Sequence, residues 1–326
     1  MPFDPSLLIH LAILITIYAI LSISLNLVMG ATGMFNIGLA AFYGVGAYTS
    51  AILAKLGVPW FFDMLAGVCL AGLLAFVVGI PTLHLVGDYL AVVTMGIGEI
   101  MRAVFTNWMS LTRGPNGIPG IPHASLFHID FAGIKFNGIT FDTEPKFFVL
   151  GIVCLAITYV IAERLLRSPF GRVLKGIRED ETGAQALGKD TYRFKMTILI
   201  IGSGMGGLAG SLFAHYITYI DPSSFVMWLT FFIFLIIMLG GRGNIFGGIV
   251  ATAVFVTLRE GLRFVTLPEW LDPSALQQLI FGLLLIVTTI FLPSGLIPER
   301  KTTYREMEGH ATSREPHEGL RRAAGG

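Results

Sequence analysis

The apolar residues of this chain fall into blocks of about 20 residues, and this spacing constrains the fold more than any other feature of the sequence. A helix of that length crosses the hydrocarbon core of a bilayer, which is about 30 Å thick. Hydrophobic residues make up 54% of the 326 positions and charged residues only 13%, a composition typical of membrane proteins. We therefore predict an all-α, polytopic integral membrane protein.

Nine blocks can be distinguished, and they predict about nine transmembrane helices, with about eight to ten as the range. The seventh and eighth blocks are short and are separated by Gly-Gly-Arg-Gly at 240–243, so two half-helices are an alternative to two crossings. No basic segment precedes the first block and no small-residue cleavage site follows it, so we expect it to be retained. The predicted spans are Leu7–Met29, Phe35–Leu56, Phe61–Val86, Tyr89–Trp108, Phe147–Leu166, Met196–Ile220, Phe225–Leu239, Asn244–Leu258 and Leu276–Leu292.

The distribution of Lys and Arg predicts the orientation, because cytoplasmic loops carry more of these residues. Residues 164–195 contain eight of them, residues 113–146 contain three, and the chain after Pro298 contains six. We therefore expect segment 167–195 and the C-terminus to be cytoplasmic. Counting nine spans backwards places the N-terminus and the loop 109–146 outside.

The chain is expected to consist of a membrane domain, residues 1–298, and a cytoplasmic tail, residues 299–326. The tail is polar and poor in aromatic residues, which predicts disorder. In the external loop, Asn137-Gly138 lies within an alternating apolar pattern that is typical of a type I′ β-hairpin. The alternating residues are Ile134, Phe136, Ile139 and Phe141.

The stretch from Ser168 to Asp190 contains eight Lys, Arg, Asp and Glu residues, too many to bury within the hydrocarbon. Ser168 suits an N-cap, Pro169 suits the first helical position, and Gly188 suits a C′ stop. Apolar residues recur between them at helical spacing, which predicts an amphipathic cytoplasmic helix with a break near Gly183. The chain's own spans, lipid headgroups or another protein could cover its apolar stripe, and the pattern leaves these three open.

Few ionisable residues lie at membrane depth, so each is a candidate functional group. Glu99 and Arg102 are three residues apart and can pair on one helix face. We favour a satisfied ion pair over a role in lining a transport path. Asn26 and Asn36 flank a Gly-rich break at 30–33, where their amides would either bridge helices or face a passing solute.

Small residues recur at helical spacing in the sixth predicted span, where Gly202, Gly206 and Gly210 form one row. Such a row predicts close helix packing in lipid. The string GSGMGG, which starts at Gly202, also satisfies G-x-G-x-x-G. It lies inside an apolar span with no preceding strand, so we interpret it as packing and not as a nucleotide site.

The sequence contains no catalytic or cofactor-binding pattern. It lacks G-x-x-x-x-G-K-[ST], H-E-x-x-H, paired C-x-x-C and G-x-S-x-G, and its seven His residues are not at metal-ligand spacing. The net charge of +1 gives no reason to expect nucleic acid as a partner. We expect no enzyme activity of its own, no cofactor and no metal.

Four stretches, in this order along about residues 20–295, together resemble the branched-chain amino-acid ABC-transporter permease family and its M-type subunit. They are GATGMFNIGLAAFYGVGAYTSAIL from Gly30, GDYLAVVTMGIGEIMRAVFTNWMSLTRGPNGIPGIP from Gly87, SPFGRVLKGIREDETGAQALG from Ser168, and GLAGSLFAHYITYIDPSSF leading to LGGRGNIFGG. The resemblance implies a subunit of a prokaryotic inner-membrane importer. Its implied partners are membrane lipid, a second related permease, two cytoplasmic ATP-binding subunits and an external substrate-binding protein.

The resemblance also implies that the segment from Ser168 is the coupling segment that docks on the ATP-binding subunit. It departs from the Glu-Ala-Ala motif of other ABC importers, because Thr182 and Gly183 replace the alanines and Glu181 lies seven residues before Gly188. The implied coupling residues are Gly171, Arg172, Ile177, Arg178, Glu179, Glu181, Ala184 and Gly188.

We therefore predict that the chain, with these partners, moves a branched-chain amino acid inward by ATP-driven alternating access. A permease of the same family for urea, short amides or other small polar solutes is the alternative, because the external binding protein largely selects the solute. An ion-coupled secondary transporter acting alone is the alternative from another class, and the charged segment after Ser168 argues against it.

Overall fold

The computed structural model describes residues 5–85, 87–124, 135–136, 139–140, 143–262, 273–291 and 295–297. These residues form a mainly helical protein. The helices are α1 (Pro5–Thr32), α2 (Leu39–Lys55), α3 (Trp60–Thr82), α4 (Asp88–Asn107), α5 (Met109–Thr112), α6 (Thr143–Arg167), α7 (Pro169–Glu179), α8 (Glu181–Ala186), α9 (Thr191–Ile217), α10 (Met227–Gly240), α11 (Ile245–Leu262) and α12 (Pro273–Phe291). The strands are β1 (Ile118–Pro119), β2 (Lys135–Phe136), β3 (Ile139–Thr140) and β4 (Tyr219–Ile220), and short 3₁₀ helices occupy Gly114–Asn116 and Pro222–Phe225.

Six of the described helices, α1, α3, α4, α6, α9 and α11, are long and apolar enough to cross a membrane. α10 and the Leu276–Thr288 part of α12 are apolar but shorter, and α2 has 17 residues. The polytopic, helical membrane architecture is therefore confirmed, whereas the number of nine crossings stays a prediction. The tail at 299–326 lies outside the described residues.

The second predicted span begins later than expected, because residues 33–38 are not helical. Gly33, with φ +73°, ends α1 in a conformation that favours glycine. Asn36 then accepts a hydrogen bond from the Gly38 amide at 2.9 Å, which closes a local turn before α2.

α1 and α9 form the centre of the fold. Every residue from Thr16 to Thr32 is buried, and α9 packs against α1, α2 and α3. A Cβ added at Gly202 would lie 2.5 Å from a methyl of Val28, and one at Gly210 would lie 2.0 Å from the Tyr43 carbonyl oxygen. Glycine at these positions allows helix backbones to approach closely, as the small-residue pattern predicts.

Gly206, in the middle of the same row, is less tightly enclosed. A Cβ there would lie 3.3 Å from Ser24 Oγ and 3.4 Å from a methyl of Leu39. Another close helix contact involves Gly207, the next residue along α9, because a Cβ at Gly46 would lie 2.1 Å from the Gly207 carbonyl oxygen.

Two short antiparallel strand pairs lie outside the helices. β1 pairs with β4, and β2 pairs with β3 so that Phe136 faces Ile139 across the pair. This register leaves two residues, Asn137 and Gly138, between the strands. They lie outside the described residues, as does Phe141, so the type I′ turn stays a prediction.

Candidate functional site

The charged segment after Ser168 forms two helices, α7 and α8. The Ser168 hydroxyl accepts a hydrogen bond from the Gly171 amide, and Pro169 occupies the first helical position, so the predicted helix start is confirmed. The break lies at Asp180 and not near Gly183, because Asp180 is extended (φ −150°, ψ 102°) and its carboxylate accepts from the Gly183 amide at 2.9 Å. An Asp at this position ends one helix and caps the next.

The apolar stripe of α7 is covered by the chain itself. Leu174 and Ile177 are 0% and 3% exposed, and α7 packs against α1, α6 and α9. A Cβ added at Gly171 would lie 2.2 Å from the Leu166 carbonyl oxygen, so this glycine allows α7 to fold back onto the end of α6. The sequence left three candidates for the contact with this apolar stripe, namely the chain's own spans, lipid headgroups or another protein. In the structure the stripe contacts the chain's own helices. Gly171 and Ile177 therefore seat α7 within the protein and do not form its outer surface.

The opposite side of this segment is open. Arg172 and Glu179 are exposed, Ala184 is half-buried, and Leu187 is 82% exposed. Gly188 has φ +75° and follows the last turn of α8, as expected for a C′ glycine. This side of the segment thus presents charges of both signs and one exposed leucine.

Glu181 fastens α8 to α9. Its carboxylate lies 2.5 Å from the Lys195 ammonium, and the Lys195 side chain is 9% exposed. Gln185 also donates to the Thr191 hydroxyl at 2.9 Å. Lys195 is a nearly buried cation that the sequence predictions missed, although a Lys directly before the predicted span at Met196 and after an acidic segment could have indicated the pair.

Arg178 joins α7 to the end of α1. Its guanidinium donates to the Gly30 carbonyl oxygen at 2.6 Å, in the last turn of α1, where carbonyls lack helical partners and a cation is favourable. Arg242, in the turn between α10 and α11, lies 5.3 Å above the Phe35 ring. Partial burial lowers the pKa of Arg242, and the nearby charge of Arg178 lowers it further. Two arginines therefore converge on the region around the end of α1.

Asn26 joins α1 to the same turn. It is 1% exposed, its Oδ1 accepts from the Gly243 amide at 2.9 Å, and its Nδ2 donates to the Asn244 carbonyl oxygen at 2.9 Å. Asn26 therefore bridges helices. Asn36 is 6% exposed and accepts a hydrogen bond from the Gly38 amide, so it closes a local turn, and a role in facing a passing solute stays a prediction.

Glu99 and Arg102 pair on α4, as the spacing predicts. Arg102 Nε lies 2.7 Å from Glu99 Oε2, and the two side chains are 41% and 42% exposed. α4 has the smallest buried share of the six candidate spans, 17% of its apolar segment. The chain itself leaves this ion pair half-uncovered in the middle of a helix.

A further polar cluster was missed in the sequence. Asp63 lies within a predicted apolar span, and it meets His215 and Ser50 at the end of the bundle opposite α7 and α8. An aspartate among apolar residues was itself the available signal. Ser50 is 0% exposed, so this Ser, His and Asp set is buried inside the chain. No group of three or more His, Cys, Asp or Glu residues suited to a metal occurs within the described part of the chain.

Comparison with known proteins gives consistent matches. A family model described as branched-chain amino acid transport system permease component matches residues 7–289. The high-affinity branched-chain amino acid transport system permease protein LivM of Escherichia coli K12 is 35% identical over 93% of this chain and 73% of its own length. The probable branched-chain amino acid transport permease protein LivM of Methanocaldococcus jannaschii is 30% identical over 87% of this chain and 91% of its own length.

A nucleoside ABC transporter permease protein of Lactococcus lactis is also similar, with 24% identity over 82% of this chain and 86% of that protein. No solved structure matches the chain.

Proposed function

Because the chain belongs to the branched-chain amino acid transport system permease family, we propose that it is the membrane-spanning subunit of an ATP-driven importer for branched-chain amino acids. The family model covers residues 7–289, and two relatives at 35% and 30% identity are named as branched-chain amino acid permeases. ATP hydrolysis belongs to separate subunits in this proposal, since the sequence contains no phosphate-binding loop of its own.

The observation that carries the mechanism is the two-sided character of α7 and α8. One side is seated in the chain through Leu174 and Ile177, and the other exposes Arg172, Glu179 and Leu187. We assign the exposed side to the contact with the ATP-binding subunit, because an exposed leucine supplies apolar area to bury and charges of both signs supply specificity. The seated side makes the segment move with the helices it touches.

A movement of α7 would reach the transmembrane helices through two joints. Arg178 holds the Gly30 carbonyl of α1, and Asn26, one turn earlier on α1, holds the backbone of residues 243–244. These hydrogen bonds connect α7, α1 and the α10–α11 turn in series. In the proposed importer, this series transmits the state of the ATP-binding subunits to the membrane helices.

The face of α4 that carries Glu99 and Arg102 is an argument for a second permease subunit as partner. Glu99 lies about 17 Å along a helix about 30 Å long, at 1.5 Å per residue, so the half-exposed pair with Arg102 lies at membrane depth. Charged groups at that depth face protein or a water-filled path and not lipid. We propose that this face lines the contact or the solute path between the two permease subunits.

A second candidate substrate class has one observation in its favour. The similar Lactococcus lactis protein is named as a nucleoside permease, so membrane subunits of related sequence serve chemically different solutes. An importer for another small polar solute is therefore the alternative to branched-chain amino acids.

Uptake by cells that carry the chain with its partners separates the two substrate classes. Radiolabelled leucine, isoleucine and valine should accumulate, and a labelled nucleoside should not. The reverse result would assign the chain to the alternative class.

The coupling contact is tested by Leu187→Glu. This exposed position tolerates a charge in the isolated chain, but a carboxylate buried against the ATP-binding subunit costs enough to weaken association by about tenfold or more. The measurement is the amount of ATPase that copurifies from solubilised membranes. Leu56→Glu is the matched control, because Leu56 is 74% exposed at the opposite end of the bundle. Full copurification and substrate-stimulated hydrolysis with Leu187→Glu would contradict the assignment.

A further inference from the structure

The pair of Glu99 and Arg102 differs in depth from the other charged residues of the helices. In the described helices, every other Asp, Glu, Lys or Arg lies within five residues of a helix end. Glu99 and Arg102 lie further inside α4, at membrane depth. In the described part of the chain, they are therefore the negative and the positive group that a solute can meet near the middle of the bilayer.

The side of α4 that carries this pair is open to a small molecule. The Arg102 and Glu99 side chains are 41% and 42% exposed, and Ile100 beside them is 62% exposed. A Cβ added at Gly96 or Gly98 would lie in open space, so the surface next to Glu99 is open down to the helix backbone. Two opposite charges and an apolar surface are thus accessible at one place.

The pair uses only part of its hydrogen-bonding capacity. Arg102 Nε donates to Glu99 Oε2 at 2.7 Å, and this is the one polar contact that the two side chains make with the described residues. The two terminal nitrogens of the guanidinium keep four N–H donors, arranged in the fork that binds a carboxylate in bidentate fashion. Glu99 Oε1 can accept from an ammonium group. A carboxylate and an ammonium can therefore bind side by side while the pair itself stays intact.

We infer that Glu99 and Arg102 bind the zwitterionic part of an α-amino acid at the middle of the membrane. Arg102 takes the carboxylate, Glu99 takes the ammonium, and the aliphatic side chain lies along Ile100 and the gap at Gly96. A single carbon joins the two charged groups of an α-amino acid, so they need partners that are close together, as residues one helix turn apart are. Without such partners both charges of the solute would be desolvated unpaired, which is strongly unfavourable.

This inference rests on the proposed function, because it takes the solute to be a branched-chain amino acid that passes between two permease subunits. The second subunit would close the open side of the site. In the absence of solute Glu99 and Arg102 neutralise each other, as the sequence predicts, so a structural role and a binding role of the pair are compatible. The experiments must therefore separate contact with the solute from stabilisation of the fold.

Contact is tested with a leucine analogue that carries a photoreactive diazirine in its side chain and keeps both backbone charges. The complete transporter in liposomes, with loaded binding protein and ATP, is irradiated, and the labelled peptides are identified by mass spectrometry. Label should appear on α4 between Gly96 and Ala103, and excess leucine should suppress it. Absence of label from α4, or label there that excess leucine does not suppress, would overturn the inference. The unsubstituted chain is used, so the result does not depend on the folding of a variant.

The role of the charges is tested by the double variant Glu99→Gln with Arg102→Gln, which leaves neither charge unpaired. The ATPase should still copurify and respond to loaded binding protein, but leucine imported per ATP hydrolysed should fall by about tenfold or more, as expected when hydrogen bonds between charged groups are lost. Glu163→Gln with Arg167→Gln removes an ion pair at the end of α6 and is the matched control, with an unchanged ratio expected.

The same measurements separate this inference from the proposed function. An unchanged ratio of leucine to ATP in the Glu99→Gln and Arg102→Gln double variant would overturn the inference and leave the proposed function in place. Failure of the unsubstituted transporter to import leucine would overturn both.

Discussion

Gly46→Ala tests the close contact between α2 and α9. A Cβ at this position would lie 2.1 Å from the carbonyl oxygen of Gly207 and 2.5 Å from its Cα. Both atoms belong to the backbone, so no side chain can turn aside to relieve the overlap. The two helices would have to separate by more than about 1 Å to restore an ordinary contact of about 3.5 Å.

Two opposing effects determine how much Gly46→Ala changes the free energy of unfolding. Alanine is a better helix former than glycine by about 1 kcal/mol, which on its own would stabilise the variant. Separating packed surfaces by 0.5–1 Å forfeits about a quarter to a half of the dispersion energy of the atoms concerned, and overpacking a core costs about 1–3 kcal/mol or more. Because the separation here exceeds that range along a helix–helix contact, the loss outweighs the gain. We expect a net destabilisation of about 2 kcal/mol or more.

Gly204→Ala is the matched control, since it lies on α9 and is also buried. A Cβ there would lie 3.4 Å from a methyl of Val68 and 3.6 Å from the Val68 carbonyl oxygen, so the helix-propensity gain should dominate. Unfolding of the purified variants in mixed micelles, followed by tryptophan fluorescence during titration with SDS, measures the difference. If Gly46→Ala is as stable as Gly204→Ala, glycine is not required at this contact and the packing argument fails.

Three further outcomes follow from the site. Replacing Glu99 or Arg102 alone by alanine should lower the folded yield more than replacing both, because each single variant leaves one charge unpaired at membrane depth. Equal folded yields of the two single variants and the double variant would indicate separate roles for the two residues. Ile177→Asp should destabilise the isolated chain by several kcal/mol, because Ile177 is 3% exposed and the new carboxylate would be buried. Normal thermal stability of the purified variant would contradict the burial of Ile177. Arg178→Leu and Asn26→Leu should uncouple ATP hydrolysis from uptake while the ATPase still copurifies. A normal ratio of solute imported to ATP hydrolysed would show that the hydrogen bonds of these two residues do not link the ATP-binding subunits to the membrane helices.

The sequence predicted local features well because short-range chemistry determines them. The helix start at Ser168 depends on a hydroxyl three residues from the amide it caps, and the pairing of Glu99 with Arg102 depends on helical geometry alone. The apolar blocks likewise located the membrane helices to within a few residues, except where a turn at residues 33–38 delays α2.

What the sequence could not supply are contacts between distant parts of the chain. Arg178 and Gly30 are 148 residues apart, and His215 and Asp63 are 152 residues apart, so no spacing rule connects them. The same limit explains Ile177. Helical periodicity identified it as part of an apolar stripe, but only the packing of α7 against α1, α6 and α9 shows that this stripe faces inward.

The central position of α1 has a consequence for how the protein is made. Ser24 and Asn26 find their hydrogen-bond partners 178 and 218 residues later in the chain. At a synthesis rate of about 5–20 residues per second, α1 must wait in the bilayer for roughly 10–40 seconds before the α10–α11 turn exists. During that interval its polar groups lack their final partners, so the membrane-insertion machinery or an early-made neighbour such as α6, which packs against α1, must shield them. We therefore expect α1 to be most susceptible to degradation while the ribosome-bound nascent chain still ends before residue 243.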